Sequence, residues 1–86
     1  MEVQDISFII RSKNRFKVLS FMKDEKVTPR QIMKSTNMYE SHVSRTLKEL
    51  KQKKLIVCLN PEDRKYKFYK ITRYGIKILE ECKKIK

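Results

Sequence analysis

Between residues 28 and 59 the hydrophobic period changes once, and the residues around that change leave few topologies open. Thr28-Pro29-Arg30-Gln31 is a helix start. Thr28 can accept from the backbone N–H of Gln31, and the Gln31 amide can reach back to Thr28. Pro29 takes the first helical position, where no donor is missed. Asn37 ends that helix after about nine residues, since Asn tolerates the left-handed backbone that closes helices. A longer helix spans residues 39–53. At ~100° per residue, Val43, Leu47 and Leu50 form one narrow stripe, while Ser41, Arg45, Lys48 and Gln52 lie opposite, with His42 and Glu49 at the margin. The spacing then falls to two. Leu55–Leu59 reads as a short buried strand, Asn60–Arg64 as a turn and Lys65–Ile71 as a second strand with Tyr69 and Ile71 facing inward.

A short helix, a tight turn and a second helix with a polar, basic outer face make the pattern of a helix-turn-helix, here followed by a hairpin with a charged tip. Upstream, Val3, Ile6, Ile9 and Ile10 share a helical stripe. Ser12 can cap a further helix that carries Val18, Leu19 and Met22 with the Arg15 stem alongside, and Asp24-Glu25-Lys26 forms the turn after it. Downstream, Thr72 can cap a last helix with Ile76, Leu79, Cys82 and Ile85 on one face. The expected fold is mainly α with a small β-hairpin: a three-helix core, a two-stranded wing and flanking helices at both ends. An 86-residue chain with 40% apolar residues can build one small core and not two. Residues 1–86 therefore read as a single winged-helix domain, with 1–11 and 73–86 as its flanking helices.

Charge narrows the function. Lys and Arg number 22 against 10 acidic residues, a net charge of +12. Residues 41–86 hold 14 basic and 5 acidic side chains, net +9, whereas residues 1–40 hold 8 and 5, net +3. An excess this large favours a polyanionic partner, nucleic acid first and an anionic membrane surface second. No apolar run approaches the ~20 residues of a membrane span. The acidic start, Met1 to Asp5, does not look like a signal peptide. A cytoplasmic protein is the expectation. Cys58 and Cys82 stand far apart without CxxC spacing, and His42 is the one histidine, so neither a structural metal site nor any other cofactor is called for. Both cysteines read as small buried hydrophobes, with a sensing role the minority alternative. A lone histidine and a single glycine also leave no catalytic constellation, and an enzyme is not expected.

Two stretches resemble a known family. The run Ser41-His-Val-Ser-Arg-Thr-Leu-Lys-Glu-Leu50 resembles the recognition helix of archaeal and bacterial winged-helix transcriptional regulators of the ArsR/MarR type. Leu59 to Gly75, LNPEDRKYKFYKITRYG, is similar to that family's wing and the helix start after it. The similarity covers residues 12–79. It implies a sequence-specific regulator of double-stranded DNA, with the helix at about 39–53 in the major groove and the wing at about 60–67 on the adjacent minor groove or backbone. Carried over residue by residue, it implies base-edge or phosphate contacts from Ser41, His42, Ser44, Arg45 and Lys48, with Arg64 at the wing tip and Lys65 and Lys67 flanking it on the phosphates. There are three departures. Tyr39 stands where the family has a Ser cap, Asn37 replaces a turn glycine, and Lys54 replaces the glycine that ends the recognition helix, at a cost of about 1 kcal/mol if that position is left-handed.

Each signal has a plainer reading beside it. Lys51, Lys53 and Lys54 read equally well as a solvated helix end that complements the helix dipole. Tyr66, Phe68 and Tyr69 could stack on single-stranded bases, although hairpin aromatics more often pack across strands. The alternative function is a winged-helix module for RNA or a protein partner. A homodimer is also expected, because a core of about 60 residues leaves the stripes Val3/Ile6/Ile10 and Ile76/Leu79/Cys82 with little to cover them, unless they fold back on their own core.

Overall fold

The computed structural model describes residues 2–23 and 25–85, and Asp24, expected in the turn after the helix that Ser12 caps, lies outside them. The described residues form α1 (Glu2–Ile10), α2 (Lys13–Phe21), α3 (Pro29–Thr36), α4 (Glu40–Gln52), β1 (Ile56–Cys58), β2 (Tyr69–Ile71) and α5 (Arg73–Ile85). Local chemistry accounts for most of the boundaries. Ser12 accepts from the Arg15 N–H at 3.3 Å and starts α2. The reciprocal Thr28–Gln31 box starts α3 at 2.9 and 3.2 Å. Asn37, at φ 59° and ψ 27°, supplies the left-handed turn before α4. Tyr39 opens α4 with no side-chain cap, as the Tyr-for-Ser departure implies. Thr72 caps α5 by accepting from the Gly75 N–H at 2.9 Å.

Helices α2, α3 and α4 pack on one another, and the hairpin extends from the end of α4. Ile9, Val18, Leu19, Met22, Ile32, Val43, Leu47 and Leu50 form one continuous core with Leu55, Ile56, Ile71, Ile78, Leu79 and Cys82. The hairpin is antiparallel, pairing Ile56 with Ile71, Val57 with Lys70 and Cys58 with Tyr69. Its strands are shorter than the sequence suggested. Beyond Cys58 and Tyr69 one more cross-strand backbone bond, Leu59 N–H to the Phe68 carbonyl, leads into a loop closed largely by side chains. Pro61 has no N–H to contribute to a ladder. Tyr69 also pairs on its other edge with Val27, through N···O distances of 2.8 and 2.7 Å, which ties the segment before α3 to the wing. No periodicity signals that bridge.

A second correction concerns the outer helices. Their stripes cover each other: α1 packs on α5, Ile9, Leu79 and Cys82 are buried, and Ile6 and Ile76 pack against the core. Cys82 lies 3.8 Å from the Ile6 carbonyl. The fold-back alternative is the one realised, so uncovered stripes no longer argue for a dimer. Val3, at 77% exposure, is the exception on α1. Cys82 is buried as expected, while Cys58 is only half-buried.

The junction between α4, the wing and α5 is closely packed around Gly75. Lys54 turns the chain at φ 62°, and the Leu55 N–H then donates to the Leu50 carbonyl at 3.0 Å. The Thr72 hydroxyl donates to the Lys54 carbonyl at 2.8 Å, and the Leu55 carbonyl accepts from the Thr72 N–H at 3.0 Å. A Cβ on Gly75 would lie 2.1 Å from that oxygen and 2.6 Å from Ile71 Cγ1. Two substitutions should therefore act in opposite directions. Gly75→Ala should destabilise by about 3 kcal/mol, because backbone must move to admit the methyl group. Lys54→Gly should stabilise by about 0.5–1 kcal/mol, because it removes the left-handed penalty. Denaturant midpoints measure both, and unchanged values would mean that the junction is more open than the structure indicates.

Candidate nucleic-acid interface

Helix α4 separates its residues cleanly. Val43, Leu47 and Leu50 are buried and Ser41, Arg45 and Lys48 exposed, as the stripe analysis expected; Thr46 is buried too, and His42 and Ser44 are exposed. Tyr39 stands edge-on to His42, with ring centroids 6.1 Å apart and planes at 80°. The margin residue Glu49 behaves differently. Arg15 grips it with both arms of the guanidinium, Nε to Oε1 at 3.2 Å and Nη2 to Oε2 at 3.3 Å, while Nη1 donates to the Phe8 carbonyl at 3.0 Å. The same guanidinium stacks 3.8 Å from the Phe8 ring centroid. The fork geometry matches a carboxylate, so the pair fixes α4 against α1 and α2. It also neutralises the acidic side chain at the edge of the basic face.

Two concavities border that face. One, of about 170 Å³, is lined by Ser12, Asn14, Arg15, His42, Arg45 and Glu49, among others, and brings the start of α2 beside the outer edge of α4. Sequence reasoning missed Asn14. Its place at the helix start was legible, but its proximity to Arg45 is a product of packing. The other, of about 330 Å³, runs between α4 and the wing base and is lined by Ser44, Lys48, Lys51, Gln52 and Tyr69 with Leu47. Lys51 thus shares a groove with Lys48, whereas Lys53 lies 3.9 Å from Asp5.

At the wing, Arg64 and Lys65 are exposed and Lys67 is half-buried. No ion pair among the described residues engages Arg45, Lys48, Arg64, Lys65 or Lys67. Asp63 sits among these cations, and its carboxyl is held below the usual carboxylate range by the backbone N–H groups of Tyr66 and then Lys65. The aromatics divide. Phe68 lies under Lys26, with Nζ 5.0 Å from the ring centroid, and Tyr69 is half-buried with its phenol pushed up by burial and then by Cys58. Tyr66 is exposed. Packing against the core and across from Cys58 thus accounts for Tyr69, and the Lys26 contact for one face of Phe68. Among the described residues no three His, Cys, Asp or Glu side chains converge, and no helix is long and apolar enough to cross a membrane.

Solved structures share this arrangement. A mutant of MepR from S. aureus, bound to an oligodeoxyribonucleotide, overlays with a TM-score of 0.77 at 23% identity, covering 98% of this chain and 67% of that one. A mutant of MarR from E. coli in complex with operator DNA overlays at 0.76 and 24% identity, covering 96% of this chain and 64% of that one. AF1382 from Archaeoglobus fulgidus overlays at 0.74 and 20% identity, covering 86% and 85%. The chain thus spans about two thirds of the MepR and MarR chains, and the fold expected from the ArsR/MarR resemblance is the fold found. By sequence, no curated protein matches. Residues 3–86 match the model of the HVO_A0261 N-terminal domain, and the chain belongs to that family.

Proposed function

We propose that this domain is a sequence-specific, double-stranded DNA-binding transcriptional regulator, with α4 in the major groove and the wing on the adjacent minor groove or backbone. One observation carries the reading: the outward face of α4 holds Ser41, His42, Ser44, Arg45 and Lys48, all exposed, on a helix fixed from behind by a buried stripe and the Arg15–Glu49 pair. An α-helix presented in this way fits the major groove, where Arg can donate bidentately to a guanine edge and Ser or His can reach bases or phosphates. Arg64, Lys65 and Lys67 would meet phosphates from the wing. The nucleic acid held by the MepR and MarR structures supports the same reading. Selection from a random duplex library tests it directly, and a preferred duplex should survive excess competitor RNA. Binding to RNA alone, or to neither, would overturn it and favour the RNA or protein-partner alternative.

Within this reading Arg45→Ala should weaken binding to the selected duplex by about 1–3 kcal/mol and relax discrimination at one base position. Equal weakening on every sequence would place Arg45 on phosphate. Replacing Arg64 and Lys65 together should flatten the dependence of log affinity on log salt by roughly one to two units, because each lost phosphate contact ceases to release about one counterion. An unchanged slope with intact circular dichroism would take the wing tip off the DNA.

A homodimer remains part of the proposal on narrower ground, since the described flanking helices leave only Val3 and Ile85 as large exposed apolar side chains. A twofold pair would place two α4 helices roughly 34–36 Å apart on an inverted repeat. Sedimentation equilibrium giving a monomer at tens of micromolar, with a selected site lacking twofold symmetry, would remove the dimer and leave the rest.

A further inference from the structure

The paired strands of the wing stop at Cys58 and Tyr69, yet its cationic residues lie beyond them, at 64–67. Something other than a ladder must hold that end. The structure shows a closed sequence of hydrogen bonds built on two side chains. The Leu59 N–H donates to the Phe68 carbonyl at 2.8 Å, and the Asp63 N–H donates to the Asn60 carbonyl at 3.0 Å. The Asn60 amide uses both ends: Nδ2 donates to the Tyr66 carbonyl at 2.6 Å, and Oδ1 accepts from the Phe68 N–H at 2.7 Å. One oxygen of Asp63 accepts from the N–H groups of both Lys65 and Tyr66 at 2.9 Å. Short polar side chains that bind nearby backbone in this way substitute for regular pairing.

We propose that Asn60 and Asp63 are positioning residues for nucleic-acid binding, holding the loop that carries Arg64 and Lys65 in one presentation before any partner arrives. The inference rests on the DNA-binding reading and deepens it at the wing. Preorganisation favours binding because a loop already ordered loses little conformational freedom on association. Asp63 makes the idea distinctive. A carboxylate among cations that meet a polyanion should oppose binding, and electrostatics alone expects its removal to tighten the complex. The hydrogen bonds give the opposite expectation: without its acceptor oxygen the tip loosens and binding weakens, although the charge has become more favourable.

Three variants separate these effects: Asn60→Ala, Asp63→Ala and Asp63→Asn. Each is measured for affinity to the selected duplex across a salt series, for thermal midpoint, and for amide hydrogen exchange at Lys65, Tyr66 and Phe68 in the free protein. Asn60→Ala should bind about tenfold more weakly at unchanged net charge, with faster exchange at Phe68 and the same midpoint. Asp63→Ala should also bind more weakly, with faster exchange at Lys65 and Tyr66. Asp63→Asn keeps an oxygen that can accept both N–H groups and loses the repulsive charge, so its affinity should equal or exceed that of the parent chain. Asn60→Ala binding like the parent, together with Asp63→Ala binding more tightly, would overturn the inference alone and make the wing a loose charged tether. A parent chain that binds no duplex would overturn the DNA-binding reading and this inference with it.

Discussion

One carbonyl, that of Leu55, joins the three parts of the molecule that have to be oriented together. It receives the N–H of Thr72, whose hydroxyl donates to the neighbouring Lys54 carbonyl, so the wing's first strand, its return strand and the start of α5 are fixed at one place directly after α4. Gly75 allows the contact, because any side chain there would collide with the same oxygen. The left-handed backbone at Lys54 brings Leu55 into place at a local cost of about 1 kcal/mol. The hydrogen bonds and the burial of Leu55, Ile56 and Ile71 offset that strain. The wing is therefore not a free appendage. Its base has a fixed angle to α4, reinforced from the other edge by the Val27–Tyr69 bridge.

In the last turn of α4, Arg15 performs a comparable service with charge. A guanidinium that binds a carboxylate with two arms, a carbonyl with a third donor and an aromatic face by stacking has few alternative poses, and it is only partly exposed. Its value lies in geometry more than in stability, since half-exposed ion pairs contribute little net energy. Asp5 extends the network on α1, receiving the Tyr74 hydroxyl from α5 and lying near Lys53 beyond α4. These acids are used inside the fold. Among the described residues no ion pair engages the basic residues of α4 or the wing, and residues 41–86 carry +9 of the chain's +12.

The two ends of the proposed interface are thus organised by different means. Helix α4 is rigid through core packing, with Val43, Leu47 and Leu50 buried and its polar face left outward. The wing tip has no core beneath it and depends on Asn60 and Asp63 bonding backbone. A helix face tolerates substitution of its exposed residues with little loss of shape. A loop held by two side chains does not, so small polar changes there should alter function without altering stability.

Much of this was legible without coordinates wherever the cause was local. The Thr28–Gln31 box, the Asn37 turn and the outward placing of Ser41, Arg45 and Lys48 follow from residue type and spacing, because helix starts, left-handed turns and 3.6-residue stripes are decided by neighbours in the chain. The missing cap at Tyr39 and the strained Lys54 were legible only through the family resemblance. The sequence could not say how far the hairpin would pair, because Asn60 and Asp63 compete with the ladder through contacts fixed only when the loop closes. It also left open what would cover the outer helices. Both stripes were visible, but that they meet each other depends on the path of the whole chain around α2. The Arg15–Glu49 pair and the Val27–Tyr69 bridge join residues 34 and 42 positions apart, beyond the reach of any periodic signal. By itself the sequence determined the elements, their order and which face of α4 would be polar and basic. Tertiary structure alone decided which acids would be neutralised and which apolar faces would be covered, because both depend on packing between segments far apart in the chain.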